Sequence, residues 1–293
     1  MKKIILFLFC ILNILTYSIK IENNMAVDNY GNKVALKEYN KIIVADPSAV
    51  EIFYLIGGEN KISAIARTKI NKIYPEDKTK KLQSVGAITK PSIEKIISLK
   101  PDLVILNPMG APKIETLLKE YKIPYFIDRS VNFDEIFLKT KIYGIFTGKE
   151  KEAENLINEK KQVMKEIEKN VEDRNLKGVV LYSSSPMTSF SKNTIPSEIL
   201  KLLKIKNIAS AFENSKSAII STDMILKENP DVIIGTMKIK SVDDIIMNNE
   251  FLKYSNAYKN NNIYVFESDK ILRATPRIVD GIEEVYEVIK NVK

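Results

Sequence analysis

Two stretches of this chain, residues 91–106 and 221–234, repeat one pattern without a gap, and this repeat constrains the fold more than any other feature. Ser92 aligns with Ser221, and the matching positions that follow keep the same separation. In both stretches the serine is followed by an acid, a short helical pattern, a Pro-Asp pair and a run of apolar residues. The constant separation indicates an internal duplication, so the chain is predicted to contain two similar lobes.

Each copy of the repeat is interpreted as one helix followed by one strand. Serine is a preferred N-cap residue, and the helix dipole favours an acid in the first turn, here Glu94 and Asp223. Proline then ends the helix, and the apolar run predicts a buried strand of the parallel type. Either copy alone could be an ordinary connection of an α/β protein, but the two copies together favour an α/β fold in both lobes.

The rest of the chain alternates strands and helices around these two copies. An antiparallel pair of strands is expected within residues 19–40, Ser48 is expected to cap the first core helix, and a polar loop is expected from 67 to about 85. The predicted elements of the first half are strands 41–45, 61–66, 102–106 and 124–127 and helices 49–56, 92–100 and 113–121. Those of the second half are strands 178–182, 231–234 and 263–266, a loop at 183–190, and helices 196–203, 222–228, 243–247 and 277–289.

A charged helical segment, residues 133–174, lies between the two halves. It is interrupted at Gly148, and residues 150–173 predict one long helix with apolar positions at helical spacing. Such a helix joins two lobes more rigidly than a flexible linker would. We therefore expect an N-terminal lobe at 19–132, this connecting segment, and a C-terminal lobe at 175–293.

Residues 1–18 have the pattern of a secretory signal peptide. Two lysines precede an apolar run at 4–15, and small residues precede a cleavage site after Ser18. The run is shorter than the roughly 20 residues that span a bilayer, although an N-terminal membrane anchor is the alternative interpretation. Cys10 is preceded by Phe9 instead of the small residue of a bacterial lipoprotein signal, so a lipid anchor is not expected.

The composition excludes several classes of chemistry. The chain has no histidine and a single cysteine, which removal of the signal peptide would delete. Ser-His-Asp and Cys-His catalysis and metal capture by histidine clusters are therefore excluded, and neither a resident metal nor a permanent cofactor is expected. The net charge of +8 falls to +6 without the two lysines of the signal peptide, and the remaining lysines are scattered along the chain. Nucleic-acid binding is not expected from such a pattern.

Ligands of open α/β sheets bind outside the carboxyl ends of the strands, so the loops that follow the predicted strands form the candidate site. With two sheets joined by a long helix, these ends can face each other across a cleft. Arginine suits anionic oxygens there, whereas Met, Tyr and Phe suit a large flat or apolar ligand. The candidate ligand-binding residues are Ser48, Arg67, Thr68, Met109, Arg129, Tyr182, Met187, Phe190, Met237 and Arg273.

These residues also have structural interpretations. Each of the three methionines can be a core residue, and Arg67 and Arg129 can anchor surface loops. Arg273 and Arg277 flank Ala-Thr-Pro before the last helix and can hold that helix on the sheet. The sequence leaves both interpretations open.

With this organisation the chain resembles the iron-chelate and cobalamin class of periplasmic binding proteins, the receptors of ATP-driven importers for siderophores, haem and vitamin B12. The resemblance rests on segments 41–58, 94–105 and 273–284 and on the second copy of the repeat around Asp223. It implies an α/β fold of two Rossmann-like lobes joined by one long α-helix, with the ligand in the cleft between the lobes. The family domain would cover about residues 41–293, and no enzymatic activity is implied.

The resemblance also implies where the partners bind. In this class one surface acid on each lobe docks onto basic residues of the membrane permease. Glu94 matches the position of the N-terminal lobe, and Asp223 matches that of the C-terminal lobe, where glutamate is more usual. Their alternative role is that of first-turn acids stabilised by the helix dipole. The expected location is the periplasm, and the expected state is a monomer.

Several ligands fit this resemblance. Haem receptors of the class ligate iron through Tyr, His or Met, so Tyr182 with a methionine of the cleft is a candidate pair. Arg67 and Arg129 fit an anionic ferric chelate, and the absence of tryptophan weakens the cobalamin alternative. We expect a ferric chelate that brings its own iron, then haem. A secreted enzyme that works through carboxylates is a further alternative, because one fold can carry many functions.

Overall fold

The structure of the protein is a computed structural model that describes residues 18–68, 72–212 and 217–292. Within these residues the chain forms one three-stranded sheet and two six-stranded sheets, and helices cover the two larger sheets. One six-stranded sheet belongs to each half of the chain, so the predicted two-lobed α/β fold is confirmed. Apart from Ser18, the predicted signal peptide lies outside the described residues.

The sheet of the N-terminal lobe is parallel except at one edge. A small antiparallel sheet precedes it, with strands β1 (Lys20–Glu22), β2 (Met25–Val27) and β3 (Lys33–Ala35). The strands of the larger sheet are β4 (Ile42–Ala45), β5 (Ile62–Arg67), β6 (Ser84–Ala87), β7 (Lys90–Pro91), β8 (Leu103–Leu106) and β9 (Tyr125–Ile127). Their order is β7-β6-β5-β4-β8-β9, with β7 antiparallel to β6. The helices are α1 (Pro47–Leu55), α2 (Glu76–Thr79), α3 (Ile93–Leu99) and α4 (Ala111–Glu120), of which α2 lies in the predicted polar loop.

Helix α1 begins earlier than the sequence predicted. The side chain of Asp46 accepts hydrogen bonds from the backbone N–H groups of Ser48 and Ala49, so Asp46 and not Ser48 is the N-cap residue. Pro47 follows within the first turn, where its fixed φ suits the helix and its missing N–H leaves no bond unmade. As a result the Ser48 hydroxyl contacts the carboxylates of Asp46 and Asp128 at the carboxyl end of β4.

Two helices, α5 (Phe133–Thr147) and α6 (Glu150–Asn170), lie between the lobes in sequence. Helix α5 ends at Gly148, whose φ of 67° is in the left-handed region that glycine adopts without strain. Near its start α6 places Ala153 in the core of the N-terminal lobe, and near its end it places Ile167 in the core of the C-terminal lobe. The predicted long helix therefore exists and is anchored in both lobes.

The C-terminal lobe repeats the plan with a mixed sheet. Its strands are β10 (Lys177–Ser184), β11 (Met187–Phe190), β12 (Lys206–Asn207), β13 (Ser217–Ile219), β14 (Val232–Gly235) and β15 (Ile263–Val265). Their order is β13-β11-β10-β14-β15, and β12 pairs with β10. The helices are α7 (Ile195–Leu202), α8 (Thr222–Glu228), α9 (Val242–Asn248), α10 (Asn256–Lys259), α11 (Ser268–Ile271) and α12 (Ile278–Ile289).

The stretch 183–190, which the sequence predicted to be a loop, is instead part of a β-hairpin. Strand β10 continues to Ser184, and β11 pairs antiparallel with it, so Leu181 lies opposite Ser189 and Ser184 lies opposite Met187. Strand β13 adds antiparallel to β11, which makes this sheet mixed. The serine and threonine residues here lack the alternating apolar pattern from which a strand is predicted, and this explains the error.

The repeated units have the same local structure in both lobes. At the start of α3 the Ser92 hydroxyl accepts a hydrogen bond from the N–H of Lys95 at 3.3 Å. At the start of α8 the Ser221 hydroxyl accepts one from the N–H of Met224 at 3.1 Å. Both predicted N-caps are therefore confirmed, and the first-turn acids occupy equivalent positions on the two lobes.

The aspartate of each Pro-Asp pair also has an equivalent role. Asp102 accepts hydrogen bonds from the backbone N–H groups of Asn40 and Lys41, each at 2.9 Å. Asp231 accepts one from the N–H of Lys177 at 2.9 Å. Each aspartate thus ties its own strand to the start of the neighbouring central strand, β4 in one lobe and β10 in the other. The duplication extends from the helix cap to the pairing of the strands.

Candidate functional site

A cleft lies between the lobes at the carboxyl ends of the parallel strands and contains two adjoining cavities. The first has a volume of about 460 Å³ and is lined by the loops that follow β4, β8 and β9 and, from the other lobe, by Ser268 and residues 272–274. The second has a volume of about 430 Å³, and both cavities include Ser130, Met237 and Leu272 in their walls. Together they form one groove between the lobes, at the place where the sequence predicted the ligand.

Most of the sequence-predicted site residues line this groove. Those in the wall of the first cavity are Ser48, Thr68, Met109, Arg129, Met237 and Arg273. Those in the wall of the second cavity are Tyr182, Phe190 and Met237. The fold therefore brings together residues that are far apart in the sequence and that come from both lobes.

Two of the predicted residues lie elsewhere. The Arg67 guanidinium donates hydrogen bonds to the backbone carbonyl groups of Lys80 at 3.0 Å and Leu82 at 2.8 Å, which holds the α2 segment against β5. Met187 is buried in a hydrophobic core of the C-terminal lobe. For these two residues the geometry matches the structural roles that the sequence left open.

Met237 lies where the two cavities meet, and its backbone is held in an unusual conformation. Its φ of 57° lies in the left-handed region, which costs a residue with a Cβ about 1–3 kcal/mol. On either side, the N–H of Thr236 donates to the Leu181 carbonyl at 2.9 Å and that of Lys238 donates to the Tyr182 carbonyl at 3.2 Å. These bonds fix the turn after β14 against β10 and hold the polarizable thioether in the wall of both cavities.

An aromatic pair forms one wall of the second cavity. The rings of Tyr182 and Phe190 pack with their centroids 5.1 Å apart and their planes inclined at 54°. Both residues belong to the hairpin of β10 and β11, and Ile195 and Pro196 of α7 extend the apolar surface. This wall suits a large ligand with a flat or apolar face.

A buried ion pair lies beneath the first cavity. The Lys139 ammonium donates to Asp128 Oδ1 at 2.7 Å, and neither side chain is more than 1% exposed. The Tyr143 hydroxyl donates to Asp128 Oδ2 at 2.8 Å, and the Ser48 hydroxyl lies 3.2 Å from the Lys139 ammonium. Asp128 follows β9, whereas Lys139 and Tyr143 come from α5. An ion pair and a hydrogen bond therefore hold the floor of the cavity on helix α5.

A second buried carboxylate completes this floor. Asp46 Oδ1 accepts a hydrogen bond from the Ser48 hydroxyl at 2.6 Å, and Asp46 Oδ2 accepts one from the Asn107 side chain at 2.6 Å. Asp46 follows β4 and Asn107 follows β8, so the network ties the carboxyl ends of neighbouring strands together. Complete hydrogen bonding of this kind makes a rigid floor.

Sequence reasoning placed Asp46 and Asn107 in the loops at the cleft without naming them as site residues, and it missed Lys139. Lys139 lies in the charged helical segment 133–174, and it is completely buried. One signal could have identified it: Ile136 and Tyr143, three residues before and four after, share its helical face and are also buried. A lysine on an apolar face must have a buried partner.

Burial raises the pKa of Asp128 to about 6, against the opposing effect of Lys139, and the nearby Asp46 carboxylate adds to the rise. Between this value and the ordinary 3.8, the folded protein binds a proton that the unfolded chain does not. Stability therefore increases as the pH falls through this window. We expect Asp128 alone to add about 1.4 kcal/mol to the free energy of unfolding when the pH is lowered from about 7.5 to about 5.

Chemical denaturation of the wild type and of Asp128→Asn at both pH values tests this expectation. Titrating groups that do not interact with Asp128 cancel in the difference between the two proteins. The difference in unfolding free energy should grow in favour of the wild type at the lower pH. A difference that does not change with pH would mean that Asp128 titrates outside this window.

No group of three or more acidic or cysteine side chains is placed to hold a metal ion anywhere in residues 18–68, 72–212 and 217–292. The Asp46 and Asp128 carboxylates of the cavity floor are paired with neighbouring side chains, and the walls are mostly apolar with arginines at Arg129 and Arg273. This arrangement suits the binding of a whole solute between the lobes. A two-lobed α/β fold with such a cleft and one rigid connecting helix defines the class of solute-binding proteins.

The chain belongs to the periplasmic binding protein family, whose model matches residues 42–270. Within this family it is a substrate-binding protein of ABC transporters of the iron-chelate, haem and vitamin B12 class. The resemblance stated from the sequence is thereby confirmed. Proteins of this kind bind and deliver solutes and are not enzymes.

Three comparisons support this assignment. The chain is 29% identical over 262 residues to the uncharacterized ABC transporter substrate-binding lipoprotein YvrC of Bacillus subtilis, covering 86% of this chain and 81% of YvrC. It is 25% identical to the vitamin B12-binding protein of Vibrio parahaemolyticus, covering 89% of this chain and 93% of that protein. The crystal structure of a possible iron-binding (periplasmic solute-binding) protein from Staphylococcus epidermidis matches with a TM-score of 0.74 and 27% identity, over 86% of this chain and 99% of that chain.

Proposed function

We propose that this protein captures a ferric chelate outside the cytoplasm and delivers it to the permease of an ABC importer. The observation that carries the proposal is that Arg129 of the N-terminal lobe and Arg273 of the C-terminal lobe line the same cavity. Guanidinium groups bind anionic oxygens with a planar fork of donors, and ferric chelates commonly present such oxygens. The iron arrives within the ligand, so the protein itself needs no metal site.

Haem is the second candidate, and the second cavity supports it. Tyr182 supplies a phenol oxygen there, Phe190 supplies an aromatic face, and Met237 supplies a thioether. The same wall would accept the flat face of a porphyrin. Cobalamin is a weaker candidate because the chain has no tryptophan, although relatives from Vibrio are named vitamin B12-binding proteins.

A thermal-shift panel of ferric siderophores, ferric citrate, haemin and cobalamin tests the proposal. A ligand at about a hundred times its dissociation constant adds about 2.7 kcal/mol of stability, which should raise the melting temperature by several degrees. A shift with a ferric chelate alone is the expected result. A shift with haemin alone would move the assignment to haem, and a panel without any shift would contradict the iron assignment.

Tyr182→Phe separates the two candidates. If haemin is the ligand and Tyr182 its iron ligand, this variant should lose the visible absorbance band of the bound haem. Tyr121→Phe is the matched control, because Tyr121 is exposed on the N-terminal lobe and lines neither cavity. A ferric chelate held by the two arginines should bind both variants with similar affinity.

We infer that Glu94 and Asp223 dock the loaded protein onto the permease. Both carboxylates are exposed, and they occupy equivalent first-turn positions on α3 and α8, one on each lobe. The Ser92 hydroxyl donates a hydrogen bond to Glu94 at 2.7 Å and lowers the pKa of that carboxyl, which keeps it charged. Paired surface charges of this kind suit recognition of a basic partner.

We infer export through residues 1–18 to the periplasmic side of the membrane, where the protein acts as a monomer. In the described ranges, no helix has both the length and the apolar character needed to cross a bilayer. Two relatives from Bacillus subtilis, YvrC and YhfQ, are named lipoproteins, which runs against the expectation of a protein without a lipid anchor. Anchoring at Cys10 is therefore the alternative to a freely diffusing receptor, and Phe9 is the residue that argues against it.

A further inference from the structure

A buried carboxylate joins the two lobes at the edge of the cleft. Glu51 of α1, in the N-terminal lobe, is completely buried. Its Oε1 accepts a hydrogen bond from Arg273 Nη1, and its Oε2 lies 3.3 Å from Arg277 Nη1. Both arginines belong to the segment between α11 and α12, in the C-terminal lobe. One glutamate of the first lobe therefore contacts two arginines of the second.

The arginines make further contacts with the N-terminal lobe. Arg273 Nη1 donates to the backbone carbonyl of Lys72 at 2.8 Å, and the Arg277 guanidinium lies 4.1 Å from the centre of the Tyr74 ring. The N–H of Tyr74 in turn donates to Glu51 Oε1 at 3.1 Å. Residues 72–74 and helix α1 of the N-terminal lobe thus bind the two arginine side chains of the C-terminal lobe.

The contacts of Glu51 with Arg273 and Arg277 are shielded from water. Shielding makes them hold the two lobes in position more strongly. The side chains of Arg273 and Arg277 are only 9% and 23% exposed. Burial raises the pKa of Glu51, and the two guanidinium groups oppose that rise. A buried carboxylate requires such partners, so separation of the lobes here would leave it without compensation. Two guanidinium groups against one carboxylate also leave a net positive charge beside the cavity.

The position of the contacts relative to the cleft gives them a consequence for binding. Ser48, one turn before Glu51 on α1, lines the first cavity, and so does Arg273. Helices α5 and α6 both connect the lobes, because each contributes buried side chains to the core of either lobe. Glu51 with its two arginines is a further connection at the cleft, and these separate connections restrict rotation of one lobe about the other.

We propose that Glu51, Arg273 and Arg277 form an inter-lobe clamp that sets the width of the cleft before ligand binds and holds the Arg273 guanidinium at the cavity wall. Glu51 is thereby a positioning residue for Arg273. The first part of this proposal is independent of the ligand. The second part rests on the proposed function, because it assigns Arg273 a contact with an anionic chelate.

Distances between spin labels on the two lobes test the clamp without any ligand. Cys10→Ser removes the single native cysteine, and Lys113→Cys on α4 with Lys227→Cys on α8 then provides one exposed label site on each lobe. In the parent protein, double electron–electron resonance should give one narrow distance distribution. Glu51→Gln keeps the shape of the side chain but removes its charge, and it should shift or broaden that distribution.

Asp128→Asn is the matched control for this experiment. It also neutralises a buried carboxylate paired with a cation, but its partner Lys139 lies on α5, only 11 positions further along the chain. It should lower stability and leave the distance between the labels unchanged. If Glu51→Gln does not fold, Arg277→Gln replaces it. This variant keeps the Glu51–Arg273 contact and should broaden the distribution of label distances. An unchanged distribution in a folded clamp variant would overturn the proposal.

Affinity for ferric citrate tests the positioning role. Glu51→Gln and Arg273→Gln should each weaken binding by at least about tenfold, and the double variant should bind no more weakly than Arg273→Gln alone. Additive losses would mean that Glu51 does not act through Arg273. If the parent protein does not bind ferric citrate, this result counts against the proposed ligand. The distances between the spin labels would still show whether the clamp exists.

Discussion

Lys139→Met is expected to lower the free energy of unfolding by about 3–5 kcal/mol at neutral pH, because it removes the cation from a buried pair and leaves its partner uncompensated. The Lys139 ammonium lies 2.7 Å from Asp128 Oδ1, and the Asp46 carboxylate belongs to the same buried network. Methionine has a similar volume, so the loss would reflect charge and not a cavity. Urea denaturation of both proteins measures it.

Lys141→Met is the control for this substitution. Lys141 lies on the same helix, is exposed, and should change stability by less than about 0.5 kcal/mol. The loss in Lys139→Met should become smaller as the pH is lowered below about 6, where Asp128 is protonated in the wild type as well. A loss of less than about 1 kcal/mol at pH 7 would show that the Asp128 carboxyl is neutral in the folded protein.

Reversal of both proposed docking charges, Glu94→Lys with Asp223→Lys, is expected to reduce transport by at least about tenfold and to leave ligand affinity unchanged. Two like-charge contacts with a basic surface of the permease would cost several kcal/mol, and each 1.4 kcal/mol corresponds to about a tenfold change. Neither acid lines a cavity, so binding of the solute should not respond. Uptake of the labelled ligand by cells, with affinity measured on the purified protein, tests the expectation.

Asp134→Lys with Asp243→Lys is the matched control for the docking charges. These acids are also exposed and also lie in the first turn of a helix, α5 in one case and α9 in the other, but outside the repeated unit. The control makes the same change in net charge and removes the same kind of dipole contact. If both double variants lose transport equally, or if neither loses it, Glu94 and Asp223 do not dock the protein onto the permease.

Much of the fold follows from short stretches of sequence. The N-caps at Ser92 and Ser221, the end of α5 at Gly148 and the length of α6 all depend on residues within a few positions of each other. Interactions of this range are set by helical geometry and by backbone preference, so they can be predicted without knowledge of the rest of the molecule. The two-lobed plan follows because one such local pattern occurs twice.

The errors in the predicted elements have the opposite cause. Strand β11 is formed by Met-Thr-Ser-Phe, which carries little intrinsic signal, and it exists because β10 and β13 pair with it on either side. The cap of α1 was assigned to Ser48, although Asp46 holds that role and Ser48 takes part in the buried network instead. In both places the tertiary structure overrides a weak local preference.

The sequence by itself determined most of the core helices and strands, the duplication, the connecting helix and the loops that meet at the cleft, because each depends on a local or periodic pattern. Only the tertiary structure decided which charged side chains are buried and what they contact. Asp128 follows β9 and Lys139 lies on α5, and Glu51 and Arg273 are 222 positions apart and come from different lobes. Other lysines, such as Lys113, Lys141 and Lys227, are exposed, and residue type alone does not distinguish them from Lys139. A charged side chain is buried only where a partner compensates its charge, and that partner comes near only when the chain has folded.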